Sequence, residues 1–246
     1  MLSRSSSARV LATCLLSVVL LKAVAFSRSE RLVQSTLEAG NFSRSLLWEK
    51  RIVAFELAAK RERPPIDGIL FVGSSSIERW QTLNSDFEGL PVVERGCSGS
   101  TLAETVSYVK RVVVPCRPRI IVLYSGSNDI AEGARPQAVL DSLKRFVEEV
   151  RADLPTTRIL YISNAPNPCR WALIDQIREA NALIADYCVS SREVDYVDVF
   201  TAMLGADGAP RAELFVEDRL HMNERGYALW KNLLDSYLKP VALAGR

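Results

Sequence analysis

The chain has 246 residues, 48% of them apolar, with 31 Lys+Arg against 29 Asp+Glu, one His and five Cys. That length and apolar share suit one α/β domain with a sizeable core, not a disordered or collagen-like chain. A formal charge of +2 gives no broad basic field for nucleic acid, and one His without paired-Cys spacing argues against zinc fingers and His-rich metal sites.

Arg4 and Arg9 precede an unbroken apolar and small-residue run over 10–21, and Ala23-Val24-Ala25 follows. A basic start, a short apolar run and an A-x-A end predict a secretory signal peptide over 1–25, hence a secreted or periplasmic protein. The run is short for a transmembrane helix and Lys22 interrupts it, so membrane attachment is expected only if this segment stays uncleaved. Cleavage removes Arg4, Arg9 and Lys22 from the 31 basic residues and leaves 28 against 29 acids. Nucleic acid is therefore not an expected partner. Asn41-Phe42-Ser43 is a glycosylation sequon.

Residues 26–63 read as a helical extension. Leu47, Ile52, Phe55 and Ala59 fall near one helical face, and Pro64-Pro65 ends the helix. From 64 to 246 short apolar runs alternate with amphipathic stretches. The runs Ile69–Val72, Val92–Val93 leading to Gly96, Ile120–Tyr124, Ile159–Ile162 and Tyr196–Val199 predict five strands. Helices are predicted at about 101–112, 136–153, 171–188 and 223–238. This alternation predicts a three-layer α/β/α domain around a flavodoxin-like parallel sheet of order 2-1-3-4-5.

In such a sheet ligands bind beyond the carboxyl ends of the strands, where strand order reverses. The residues following strands 1, 2 and 3 read Gly73-Ser74-Ser75-Ser76, Gly96-Cys97-Ser98-Gly99 and Gly126-Ser127-Asn128-Asp129. A serine at a strand-to-helix turn sits where helix-terminal charge favours an anion, yet it needs a base to become a nucleophile. The sole imidazole is His221, three residues after Asp218. On a helical turn that spacing lets the carboxylate hold Nδ1–H and leaves Nε2 free for the serine proton. The backbone N–H groups of Gly99 and Ser75 and the side chain of Asn128 can supply an oxyanion hole.

GSS at 73–75, GCSG at 96–99, GSND at 126–129 and DRLH at 218–221 resemble, in order, the four blocks of the SGNH (GDSL-like) hydrolases. The resemblance covers roughly 64–240, and the stretch from Trp48 to Trp80, with VGSSSIERW, is similar to the bacterial-type branch. It implies Ser75 as nucleophile, His221 with Asp218 as base pair, and Gly99 and Asn128 with the Ser75 amide as oxyanion hole. It also implies ester hydrolysis without a metal or other cofactor. The expected substrate is a small-molecule, glycan or lipid ester carrying an O-acyl or O-acetyl group. Acyl transfer to another alcohol would use the same residues, and an inactive carbohydrate- or lipid-binding module would keep the fold. Two positions depart from the pattern: Ser74 stands for the usual Asp, and Glu94 for an Asn two residues before Gly96. No G-x-S-x-G elbow is present, which disfavours the α/β-hydrolase reading.

The remaining residues have structural readings. Ser74 and Ser76 are expected to cap the turn, Asp129 to cap the following helix, and Gly73 and Gly96 to allow positive φ. Trp80 and Trp171 suit core packing as well as a pocket wall. Cys169 and Cys188 bracket one predicted helix, about 28 Å apart, too far for a disulfide with each other. Pairing with Cys97 or Cys116 and free thiols both remain open.

Overall fold

The computed structural model describes residues 46–243, and side chains over 46–238. The signal peptide, the sequon and positions 26–45 of the extension lie outside the described residues. The chain divides into two compact units, Met1–Lys50 and Arg51–Arg246. Residues 46–50 of the first are helical, as are residues 51–61 of the second (α1). Ile52 and Phe55 are buried as the periodicity predicts, whereas Leu47 is 63% exposed and Trp48 is the buried residue beside it.

Runs of β-branched and apolar residues form the parallel strands β1 (Ile69–Gly73), β2 (Val92–Gly96), β3 (Ile120–Tyr124), β4 (Arg158–Ile162) and β5 (Val194–Val197). Their order is β2-β1-β3-β4-β5, the predicted doubly wound sheet. Every residue of β1 and β3 is buried, which a sheet covered on both faces requires. The register sets Gly73 opposite Gly96 on one side and Tyr124 on the other. Three segments thus leave the sheet at one height, at the point where strand order reverses.

The helices are α2 (Ser75–Glu78), α3 (Leu83–Asp86), α4 (Leu102–Ser107), α5 (Ser127–Ala131), α6 (Pro136–Asp153), α7 (Ile174–Ser191) and α8 (Glu224–Leu243). Strand alternation divides the core in two. Ile69, Phe71, Ile120 and Val122 pack with Trp80, Trp230 and Leu234 on one face. Leu70, Val72, Ile121 and Leu123 pack with Phe146, Val150, Ile177 and Ile184 on the other. Among the described residues no helix is long and apolar enough to cross a membrane.

Three elements differ from expectation. β5 begins two residues early because its register with β4 pairs Ile159 with Val194 and Ile162 with Val197. The Val199 N–H then turns back to the Val197 carbonyl and the Ser163 hydroxyl. The helix predicted over 101–112 stops at Ser107 and continues as a π-helical turn, Val109–Val113, and a 3-10 turn, Val114–Cys116. Crowding of the β-branched valines and the missing N–H of Pro115 oppose regular helix there. The segment predicted from 171 opens as a 3-10 turn, Pro168–Leu173, capped by Asn167, before α7 begins.

Phe146 is fully buried against the sheet. Phe146→Ala should cost about 3–5 kcal/mol of stability, read as a lowered urea midpoint with the urea dependence of the transition unchanged.

Candidate active site

β1 ends where Gly73, at φ 147°, passes the Tyr124 backbone so closely that a Cβ would lie 1.9 Å from its carbonyl oxygen. The chain turns at Ser74 and Ser75 opens α2. Ser74 occupies the cap position and its carbonyl accepts the N–H groups of Ile77 and Glu78, but its hydroxyl makes no cap bond. The Ser76 carbonyl accepts the Tyr227 hydroxyl at 3.1 Å. α2 is a single turn of four residues, so the expected helix field reduces to its unpaired first-turn N–H groups.

Gly96 closes β2 without a positive φ, contrary to expectation. Its requirement is close approach: a Cβ there would sit 2.3 Å from the Glu78 backbone nitrogen. This contact lays the loop 97–101 against α2. Gly99, at φ 79°, lies in that loop, and its N–H has no hydrogen-bond partner among the described residues.

β3 delivers Ser127, Asn128 and Asp129, all buried. Asn128 Nδ2 donates to the Ser100 carbonyl at 2.8 Å, and its Oδ1 accepts from Arg170 Nη2 at 2.8 Å. A guanidinium only donates, so this bond fixes the amide orientation and leaves one Nδ2 hydrogen free. Asp129 accepts the Leu102 N–H at 2.8 Å and so caps α4, not the helix that follows it. Burial pushes its carboxyl up, against the backbone bonds that lower it.

His221 and Asp218 sit in a tight loop between Phe215 and Met222, which pair as an antiparallel bridge. The loop is a turn, not the expected helical one. Val216 N–H donates to the His221 carbonyl at 2.9 Å, and Arg219 takes a left-handed φ of 58°. Asp218 Oδ1 accepts the N–H groups of Leu220 and His221 at 2.9 and 2.8 Å. Its Oδ2 lies 2.6 Å from His221 Nδ1, and His221 Nε2 lies 3.0 Å from Ser75 Oγ. Burial acts to raise the Asp218 carboxyl, but the His221 N–H, the imidazole and the Leu220 N–H together bring it down to about 2. An ionised Asp218 accepts from Nδ1–H, which leaves Nε2 to accept from the Ser75 hydroxyl.

Ser75, Tyr124, Asn128, Arg170, Phe215 and Trp230 line a small cavity of about 20 Å³. His221 lines this cavity and also a neighbouring groove of about 850 Å³, whose other walls combine Arg79, Arg225, Glu213 and Glu224 with Phe215 and Tyr227. Among the described residues no group of three or more His, Cys, Asp or Glu is placed to hold a metal ion.

The model of the GDSL-like lipase/acylhydrolase family matches residues 68–229. The chain belongs to this family. Many solved structures share the fold. A protein from Streptococcus pneumonia named for platelet activating factor has a TM-score of 0.72 at 22% identity, with 81% of this chain and 98% of that one covered. A GDSL-like lipase from Bacteroides thetaiotaomicron gives 0.69 at 20% identity, covering 77% and 98%. A family 3 carbohydrate esterase from Clostridium thermocellum gives 0.58 at 17% identity, covering 73% and 98%. Comparison with curated proteins gives no match.

All four blocks of this GDSL-like chain meet at one edge of the sheet, and two further residues stand beside them. Trp230, from α8, walls the cavity. Arg170 donates to Ser127 Oγ at 2.6 Å as well as to Asn128, and has no carboxylate partner among the described residues. A lone arginine in a loop after a strand's carboxyl end is its only sequence signal. Trp80 is core, stacked on Tyr227 at 5.0 Å, and Trp171 lines neither the cavity nor the groove. Cys97, Cys116, Cys169 and Cys188 are free thiols.

A carboxyl held below its ordinary 3.8 contributes stability above its unfolded value and loses it as pH falls through its folded value. The contribution of Asp218 should therefore fade between about pH 4 and pH 2. The gap in urea midpoint between wild type and Asp218→Asn should close over that window. A gap unchanged down to pH 2 would contradict the arrangement.

Proposed function

We propose that the protein is an exported serine esterase that cleaves short-acyl esters of hydrophilic alcohols through an acyl-enzyme on Ser75. The 3.0 Å contact between Ser75 Oγ and His221 Nε2 carries the reading, and the basic-apolar-small pattern of residues 4–25 supports export.

Ser75 Oγ attacks the ester carbonyl as His221 Nε2 takes its proton. The oxyanion that forms receives the Gly99 and Ser75 N–H groups and the free Asn128 Nδ2 hydrogen. Asp218 stays ionised and stabilises the imidazolium. The intermediate collapses when Nε2–H protonates the leaving alkoxide, which releases the alcohol and leaves the acyl group on Ser75. Water then attacks with His221 again accepting a proton; returning it to Ser75 frees the acid.

The leaving oxygen must lie within reach of the imidazole to be protonated. The alcohol portion therefore faces the groove, where Arg79, Arg225, Glu213 and Glu224 can bond hydroxyls and Phe215 and Tyr227 offer apolar surface to a ring face. The acyl portion falls on the Asn128 side, where the cavity has room for little more than a water-sized group. This division favours an acetyl ester of a sugar or polyol over a long-chain lipid.

Ser75→Ala should remove nearly all turnover of p-nitrophenyl acetate, a loss of about 10⁶ by comparison with a serine protease. A fluorophosphonate probe should label the wild type and leave Ser75→Ala unlabelled. Undiminished turnover in that variant would end the assignment. Lengthening the acyl chain from acetyl to hexanoyl should lower kcat/KM by about tenfold or more. A rate that rises with chain length would remove the short-acyl reading and leave the nucleophile intact.

A further inference from the structure

The loop that carries Gly99 is tied to the helix that carries Ser75 by three charged side chains that belong to neither reacting group. Arg51, on α1, donates from Nε to the Gly96 carbonyl at 3.0 Å and from Nη2 to the Glu94 carboxylate at 3.3 and 3.4 Å. Its Nε also lies 3.7 Å from Glu78 Oε1. Glu94 in turn accepts the Gly96 N–H, and Glu78, one turn after Ser75, accepts the Ser98 N–H at 2.6 Å. Arg51 and Arg95 stack on the Phe55 ring, each 4.8 Å from its centroid, which holds the Arg51 fork in place.

We propose that Arg51, Glu94 and Glu78 act as an electrostatic clamp that sets the Gly99 N–H against Ser75, with Arg51 as its positioning residue. The inference rests on the esterase reading above. Two carboxylates converge on one guanidinium, whose planar donors serve a carbonyl and a carboxylate at once. Burial pushes the Glu94 carboxyl up and the Glu78 charge adds to that, while the Gly96 N–H, Arg51 and Arg95 draw it down. Without the guanidinium, two like charges face each other across the junction of α2 and β2. Their repulsion acts directly on residues 96–98, next to Gly99. The clamp also accounts for Glu94: where the family resemblance leads one to expect an asparagine, this chain has a carboxylate and an arginine from α1 to neutralise it.

An arginine that only fastened α1 to the sheet would give the same contacts, so the test must separate position from stability. The measurements are kcat and KM on p-nitrophenyl acetate, fluorophosphonate labelling and the urea midpoint. The variants are Arg51→Gln, Arg51→Lys, Glu94→Gln and the double variant Arg51→Gln with Glu94→Gln. Arg51→Gln should lower kcat about tenfold to a hundredfold with KM within about twofold, since displacement of a positioned group by about 1 Å costs on that scale. Arg51→Lys keeps the charge and loses the fork, and should fall between. The double variant should regain most of the lost kcat, because a neutral amide at 94 still accepts the Gly96 N–H and no longer repels Glu78. A double variant no faster than Arg51→Gln, or an Arg51→Gln protein with wild-type kcat, overturns the clamp. If Arg51→Gln does not fold, an Arg51→Lys protein with wild-type kcat and a lowered urea midpoint overturns it equally. Wild-type protein that resists the probe would instead overturn the esterase reading, so the two failures are distinct.

Discussion

The Ser75–His221 hydrogen bond joins positions 146 residues apart, and its length depends on how firmly each end is held. One end is fixed by the sheet, because Ser75 leaves β1 where the backbones of Gly73 and Tyr124 are in contact. The other end is a loop with no regular structure of its own, held from three sides. The Phe215–Met222 bridge closes it, and the Asn223 side chain donates to the carbonyls of Glu213 and Phe215. The Cys169 N–H donates to the Arg219 carbonyl, which ties the loop to the turn after β4. A flexible loop would spread the Oγ–Nε2 distance over conformers most of which are too long for proton transfer.

Charge is arranged along the same line. Asp218 stands behind the imidazole, while Arg170 stands behind Asn128 on the far side of Ser75 and bonds only to neutral acceptors there. A field running from guanidinium to carboxylate favours negative charge near Asn128 and positive charge on His221. In the proposed mechanism the tetrahedral intermediate needs that separation. Its stabilisation then comes from groups already oriented in the resting protein, which is where electrostatic catalysis gains most. Arg170 also withdraws density from the Asn128 carbonyl oxygen, which strengthens the remaining Nδ2–H as a donor.

Most of the sheet and all four blocks are legible in the sequence because both follow local rules. Buried parallel strands need continuous β-branched runs, and the switch point of a doubly wound sheet collects whatever follows strands 1, 2 and 3. What escapes is settled between segments. β5 reads as Tyr196–Val199 by hydrophobicity, but its register with β4 moves it to Val194–Val197. The Asp218–His221 spacing suits a helical turn, yet the left-handed Arg219 forms a different turn with the same side-chain contact. Arg51 and Arg170 carry no periodic signal. A charged residue on the polar face of a helix, or alone in a loop, looks solvated until the loop it reaches has been placed.

The polar residues beneath the site bear on the same placement. The Tyr161 hydroxyl donates to the Ser125 carbonyl at 2.7 Å, and Asn164 Nδ2 donates to that hydroxyl at 3.1 Å. Asn181 exchanges two bonds with the Asn164 backbone, at 2.8 and 2.9 Å. These side chains are buried, and each such bond is worth only about 1 kcal/mol net of desolvation. Their partners include the Ser125 carbonyl and the Asn164 backbone N–H and carbonyl, which apolar side chains would leave buried and unpaired. The network also fixes the backbone just before the turn that presents Asn128. A turn whose backbone cannot shift keeps the Asn128 amide within hydrogen-bond reach of both Ser100 and Arg170. Polarity at the carboxyl edge of this sheet therefore does two things with the same bonds: it satisfies buried backbone groups, and it places one amide.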